Sequence, residues 1–555
     1  MIECQSFLKS QIFIWLLFLS SVIAAQTESE ILNTIENDKV YLPDFSYAGY
    51  HFGEQDITIH VDMTVLNAID YGVIPDDGLD DSKALIATLE KAKNIKGSVL
   101  IHLPAGRIIL SDILYFERSH IVFNGQGTGE NGTEIYCPRP MMYLPDPDGL
   151  AELREYLIDQ NKIQKEKENN ISLPFSQYAW SGGFLWTHIP GKRVKSYLKK
   201  YDMLPVVLGT ISQATKDTKV FKVDKFNDLK EGDVVEIQWF NKQGKSGLLL
   251  KELYGDEGIY IGSHHWNYPD LAIVRQQVKI EKVEGNKVTI ASPLSMNVTP
   301  EYAVQIVEWE HLEEVGLQNF KITFPLSNRI AHHVEQGYNG IYLTSVYNSW
   351  VKNVLIDNAD SGILTESIAN VTIEDITTIG EKKAHYTVQV GGVHNVIVKN
   401  LKVYNDVMHP ISFNTFAIRN VYTDCEIFTN PILDQHSGVN HQNLFDNIKV
   451  HVTSNVEGRY PLFAGGGAKY WKPSHGNHNT FWNIDVHFTG HMNDENTILL
   501  DGMHNGPNAR LFGVHGNSKV NVEYEPNAYI NFTNRSMNGI PSLYQYQLKN
   551  RLNNQ

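Results

Sequence analysis

The chain has little cysteine, too few basic residues to balance its acids, and no long apolar run. Three cysteines occur in 555 residues, and Cys4 lies in an N-terminal stretch with the marks of an export signal: Lys9, an apolar run from Ile12 to Leu19, and small residues up to Ala25 before Gln26-Thr27-Glu28. The run falls short of the ~20 residues a membrane-spanning helix needs, so cleavage near Ala25 is expected, with residues 1–25 removed as a signal peptide. The mature chain then keeps Cys137 and Cys425, which make neither a disulfide framework nor a metal cluster. Both are expected in the core. A net charge of -16 speaks against the basic face that a nucleic-acid partner requires. It leaves room for a local basic pocket and an anionic ligand. The expectation is a secreted or periplasmic monomer with no membrane span after cleavage.

What is present points to one large fold. At 42% hydrophobic and 20% charged the chain can bury a substantial core. From Val65 the order is a strand, an Asp/Gly turn, an amphipathic helix carrying Ala84, Leu85 and Leu89, and short strands broken by Pro104-Ala105-Gly106. With Asp70-Tyr71-Gly72, Asp76-Asp77-Gly78, Asp80-Asp81-Ser82, Leu103-Pro104-Ala105-Gly106 and Gly125-Gln126-Gly127, this segment resembles the pectate-lyase-like superfamily of carbohydrate-active proteins. The resemblance implies an all-β chain, a right-handed single-stranded parallel β-helix, with residues 26–139 forming the N-terminal cap and first coils. It leaves function open, since lyases, hydrolases, epimerases and phage tailspikes share this start. The acidic residues here read as turn formers.

Later, short phrases recur with asparagine as their anchor. Asn348, Asn370, Asn395, Asn420 and Asn443 are separated by 22, 25, 25 and 23 residues, and Glu314 and Asn479 extend the series by longer steps that imply inserted loops. Such a period with short β runs marks a solenoid, and asparagine at the anchor suits a corner. Asp446 and Ile448 suggest that the register slips by one in the Asn443 coil. Main coils are therefore assigned to 311–535 and a C-terminal cap, a short helix from Ser542, to 536–555. Residues 140–310 do not repeat and read as an inserted β/α subdomain, with an amphipathic helix from Asp148 toward Asn170 and short antiparallel strands from Val220 to Val307. Trp180, Trp186, Trp239 and Trp266 could stack on sugar rings.

Stacked coils lie about 4.8 Å apart, so residues at equal distance from successive anchors share a face. Ten before the anchors, or next to those positions, stand Asp360, His385, Tyr386, His409 and Asp434, with His436 nearby. Neighbouring phrases add Arg329, His332, His333, Glu335, Lys382, Lys383, Asn414 and His441. Hydrolysis of a glycoside needs two carboxylates across the bond. Asp360 and Asp434 are three coils apart on this alignment, roughly 14 Å, and although Glu335, Asp357, Glu366 or Asp375 could supply a partner, no paired acidic motif marks the repeat face.

β-Elimination from a uronate needs a base for the C5 proton, groups that neutralise the carboxylate, and an acid for the leaving oxygen. Histidine and tyrosine suit the first and last roles. The residues favour elimination on an anionic, uronate-containing glycan: His385 or His409 as base, Tyr386 as acid, and His436 with Arg329, His333, Lys383, Asn414, Asp434 and His441 binding substrate. His385 and Tyr386 are adjacent, so on a regular strand they would face opposite ways. A sugar on O4 would make the enzyme a lyase; a free terminal hydroxyl there would make it a dehydratase. A hydrolase, an epimerase and a non-catalytic glycan-binding β-helix are the rivals. No calcium-binding spacing is visible, so the site is expected to be metal-free, although Asp357 and Asp360 could serve Ca²⁺.

Overall fold

A computed structural model describes residues 27–59, 62–163, 175–192, 205–255, 259–263, 269–490 and 497–554. The expected signal peptide and Trp266 lie outside these residues. No helix among them is long and apolar enough to cross a membrane.

The main body is a parallel β-helix. One ladder of parallel strands runs from Thr64–Asn67 through Val99–His102, Ile121–Asn124, Val315–Thr323, Val346–Asp357 and Ile368–Ile379 to Leu444–Val452, Thr480–Phe488, Arg510–Gly516 and Tyr529–Asn531. Parallel pairing of successive strands requires crossovers, and these are right-handed in nearly all known cases. A second parallel sheet stacks Leu114–Phe116, Leu185–Thr187, Asn339–Thr344, Ser361–Glu366, Ala384–Val390, Val407–Asn414 and Leu433–His436. Between the sheets, stacked apolar columns such as Val351, Ile373 and Val398 fill the interior, and Cys137 and Cys425 are buried and free.

Successive coils carry two left-handed residues five positions apart, at Glu314/Asn319, Asn348/Asn353, Asn370/Asp375, Asn395/Asn400, Arg419/Asp424, Gln442/Asn447, His478/Asn483, Asn508/Gly513 and Asn527/Phe532. Asparagine and aspartate tolerate this conformation best among residues with a Cβ. Their amides also bond along the stack, as in Asn353 Nδ2 to Asn319 Oδ1 at 2.8 Å and Asn483 Nδ2 to Asn447 Oδ1 at 2.9 Å. The conformational equivalent of Asn395 is therefore Arg419, one residue before Asn420. Val398 accordingly pairs with Tyr422, so the one-residue slip falls between the Asn395 and Asn420 coils and not in the Asn443 coil. After it, asparagine serves as an acceptor between coils, where Oδ1 of Asn420, Asn443 and Asn479 takes the backbone N–H of Val396, Asn420 and Asn443 at 2.8, 3.0 and 2.7 Å.

At the start, the helix Ser82–Lys93 packs Leu85 and Leu89 onto the first coils. The acidic turn before it is structural: Asp76 and Asp81 accept the N–H groups of Arg107, Ile74 and Ile109, and Gly106 sits at φ 101° against the Asp76 carboxylate. The helix at the C-terminus, Leu543–Asn553 with Ser542 as N-cap, does not close an end. It lies along the side, over Val421, Leu444, Trp482 and Phe512 of successive coils. There Asp446 accepts from Ser542 Oγ at 2.5 Å and Leu543 N at 2.8 Å.

The insertion is partly inside the β-helix, because Leu185–Thr187 forms a rung of the second sheet. Its helix spans Asp148–Ile163; the rest of the expected helical stretch, 164–170, lies outside the described residues. A seven-stranded antiparallel sheet within 207–308 packs its core on Phe416, Ile418 and Val439, at the corner that follows the strands Val407–Asn414 and Leu433–His436.

Candidate active site

Three strands of the second sheet bring the predicted residues together. Tyr386 pairs with His409, Ser412 with Asp434, and Asn414 with His436. The register step between these two coils is 23 residues in this sheet, not the 25 that separate Asn395 from Asn420, so His409 and not Pro410 stands beside Tyr386.

Asp434 is the hub. Its Oδ2 lies 3.1 Å from His409 Nδ1 and 3.1 Å from His436 Nδ1, and accepts from Ser412 Oγ at 2.5 Å; its Oδ1 accepts from Gly466 N at 3.1 Å. Burial acts to raise this carboxyl, but the two imidazoles outweigh it and hold it below the usual carboxylate range. Burial lowers His436, against the pull of Asp434. The Asp434 carboxylate accepts a hydrogen bond from each Nδ1–H, and with the hydrogen placed on Nδ1 a neutral ring keeps its lone pair on Nε2. His409 Nε2 is buried and has no hydrogen-bond partner.

Tyr386 is fully buried and its ring lies stacked between two imidazoles, 4.2 Å from His385 and 5.0 Å from His409 with 28° between planes in each case. Adjacency in sequence has therefore not driven His385 and Tyr386 apart. Its phenol oxygen reaches to 3.5 Å from Asn414 Oδ1, and Asn414 is anchored by its own Nδ2 on Ser412 Oγ at 2.7 Å.

Beside this hub lies a second cluster. His385 Nε2 is 3.1 Å from His332 Nε2, and its Nδ1 is 3.4 Å from Glu335 Oε1. Burial, reinforced by the neighbouring imidazoles, lowers His332 to about 3 and pushes His333 and His385 well below the usual histidine range. The same burial, with Asp360 adding to it against Arg329, raises Glu335 to about 7. Arg329 Nη2 is 3.7 Å from Glu335 Oε1, and Arg329 Nε and Nη2 are buried with no hydrogen bond. Trp180 packs on His333, with centroids 4.6 Å apart, and edge-on to His385.

Other predicted members sit elsewhere. His441 is buried under the inserted sheet, with Nδ1 3.0 Å from Val439 O, because its strand has already turned the corner where that sheet packs. Lys383 is spent at the surface on Asp406, 3.2 Å away. Asp360 is a structural ion pair, with Oδ1 2.5 Å from the buried Lys382 Nζ and Oδ2 accepting from Gly337 N and Tyr338 N. Trp186 and Trp239 are core residues. Phase reasoning missed Lys472, which bonds Gly466 O at 3.1 Å and Ser474 Oγ at 2.7 Å. Burial lowers its ammonium, against the pull of Asp434. It comes from a loop of the next coil, so no repeat position marks it.

The sequence matches no family model and no curated protein. Among solved structures, the tailspike gp49 of Pseudomonas phage LKA1 aligns at a TM-score of 0.41 and 11% identity, covering 84% of this chain and 79% of that one. The A-module of the Azotobacter vinelandii mannuronan C-5 epimerase AlgE4 aligns at 0.35 and 11%, covering 84% and 99%. An exopolygalacturonase from Thermotoga maritima aligns at 0.32 and 9%, covering 84% and 91%. The parallel β-helix itself rests on the strand pairing above.

Proposed function

We propose that the protein is an exported enzyme that performs β-elimination on a uronate-containing glycan. The observation that carries this reading is the His409–Asp434–His436 hub, in which an anionic carboxylate fixes the tautomer of an imidazole whose Nε2 is buried and unpartnered beside a tyrosine.

In this reading His409 Nε2 takes the C5 proton. The electron pair forms the C4=C5 double bond, the C4–O4 bond breaks, and the Tyr386 phenol protonates the departing oxygen. The substrate carboxylate is received by the guanidinium of Arg329, whose buried Nε and Nη2 make no hydrogen bond, with Asn414 and His436 orienting the ring. Proton transfer by a positioned side chain contributes about 10²- to 10⁴-fold, and the rest is asked of charge stabilisation in a site nearly closed to water. Hydrolysis finds less support, since Asp360 and Asp434 are both saturated by protein donors and neither is free to face a glycosidic oxygen. The low exposure of the His409 and His436 side chains, 10% and 13%, suits a chain end better than the middle of a polymer.

The test is incubation with a panel of uronate glycans, following the ultraviolet absorbance of an unsaturated uronate. Cleavage with unsaturation identifies a lyase, and loss of one water without cleavage a dehydratase. Gain of water, or binding with no new chromophore, would refute elimination.

A further inference from the structure

The steps proposed above leave the cluster of His332, His333 and His385 unassigned, yet it sets three imidazoles side by side, His385 buried and the other two half-buried. One donor nitrogen from each lies within 4.8 Å of the others, and the Nε2 atoms of His332 and His385 are 3.1 Å apart. Neutral imidazoles each offer one lone pair and one N–H, so two facing nitrogens can share a single proton and the third is left to find its own partner. Bonds of 2.0–2.1 Å to one tetrahedral ion would place nitrogens ~3.4 Å apart, close to the 3.1 Å between His332 and His385.

The surroundings match those of a bound imidazole. Metal-ligating histidines usually pass their second N–H to a carboxylate, and here Glu335 Oε1 lies 3.4 Å from the buried His385 Nδ1, which makes no hydrogen bond as it stands. The same carboxylate oxygen accepts the backbone N–H of His333 at 3.2 Å and holds that residue at a left-handed φ of 69°, which a bulky side chain adopts only under constraint. Trp180 and Phe175 wall the outer side.

From this geometry we propose that His332, His333 and His385 bind a divalent transition-metal ion, best suited to Zn²⁺, with Glu335 orienting His385 from behind. Three imidazole ligands leave a fourth position open. His409 is near, its ring 5.9 Å from His332 and 5.4 Å from His385. A uronate carboxylate held by Arg329 would meet the ion at this open position and be neutralised further, beside the base. That role rests on the elimination reading, whereas the site does not. The neighbouring trio His409, Asp434 and His436 also gathers donors within 4.8 Å. There, however, Asp434 is already saturated by hydrogen bonds, and the Lys472 cation is close enough to act on it.

The full chain is dialysed against Zn²⁺, then against metal-free buffer, and its zinc is counted by mass spectrometry; a Co²⁺ form is read by its visible spectrum. About one ion per chain is expected. His332→Ala and His385→Ala should abolish it with circular dichroism unchanged, Glu335→Gln should weaken it roughly 10- to 100-fold, and His409→Ala should retain it. No stoichiometric ion, full occupancy in His385→Ala, or loss in His409→Ala alone would each overturn the assignment. Zinc is counted without substrate, so its failure is distinct from that of the elimination reading, which is judged on product alone.

Discussion

Replacing Asp434 by asparagine tests the proposed chemistry at its pivot. Asp434 Oδ2 takes two imidazole Nδ1–H groups at 3.1 Å while Oδ1 takes the Gly466 N–H. An amide cannot meet all of these donors. If its oxygen stays on Gly466, its NH₂ faces both Nδ1 atoms and drives their protons to Nε2, which removes the base. If it flips, NH₂ meets the Gly466 N–H and only the imidazole side keeps an acceptor, now uncharged. Loss of a positioned base costs about 10²- to 10⁴-fold, equivalent to ~3–5 kcal/mol of barrier. Hydrogen bonds to a charged group are worth about 1.5–3 kcal/mol each, but removing a buried charge relieves its desolvation, so the fold should lose far less than the sum. The assay is kcat on whichever uronate glycan yields the chromophore, alongside thermal unfolding. A kcat within tenfold of wild type in a folded Asp434→Asn protein would refute the orienting role.

Tyr386→Phe keeps the stacked ring and loses only the phenol; kcat should fall about 10²-fold or more, with the melting temperature nearly unchanged, and unaltered turnover would remove Tyr386 as the acid. Lys382→Met leaves the Asp360 carboxylate buried without its cation and should destabilise the fold by about 3–5 kcal/mol in urea titrations. Adding Asp360→Asn should recover part of that, and equal losses in single and double variants would show that the pair is not coupled. Asp446 is raised to about 7, chiefly by burial and against its hydrogen bonds from Ser542 and Leu543. Between its ordinary value near 4 and 7 the folded chain therefore holds a proton that the unfolded chain has released, and stability declines as pH rises through this window. The slope is at most ~1.4 kcal/mol per pH unit, and Asp446→Asn should remove it from urea midpoints measured across that range; an identical pH profile in wild type and variant would contradict this.

Sequence alone determined the solenoid. The period of Asn348, Asn370 and Asn395, the alternating β runs and the acidic turn before Ser82 are local features, set by the conformations each short stretch prefers, and stacking merely repeats them. It also placed His385, Tyr386, His409, Asp434 and His436 on one face, because a constant period turns sequence distance into spatial phase. The tertiary structure decided what depends on unequal coils and on chain brought from elsewhere. The shorter step between the coils of Tyr386 and His409 set His409, not the in-phase Pro410, beside Tyr386. The inserted sheet buried His441, and Asp406 drew Lys383 to the surface. Loops outside the repeat supplied Lys472 and brought His332, His333 and Glu335 against His385. Phase carries no information about side chains that arrive from outside the period, and the proposed zinc site, like much of the electrostatics around the base, is made of such arrivals.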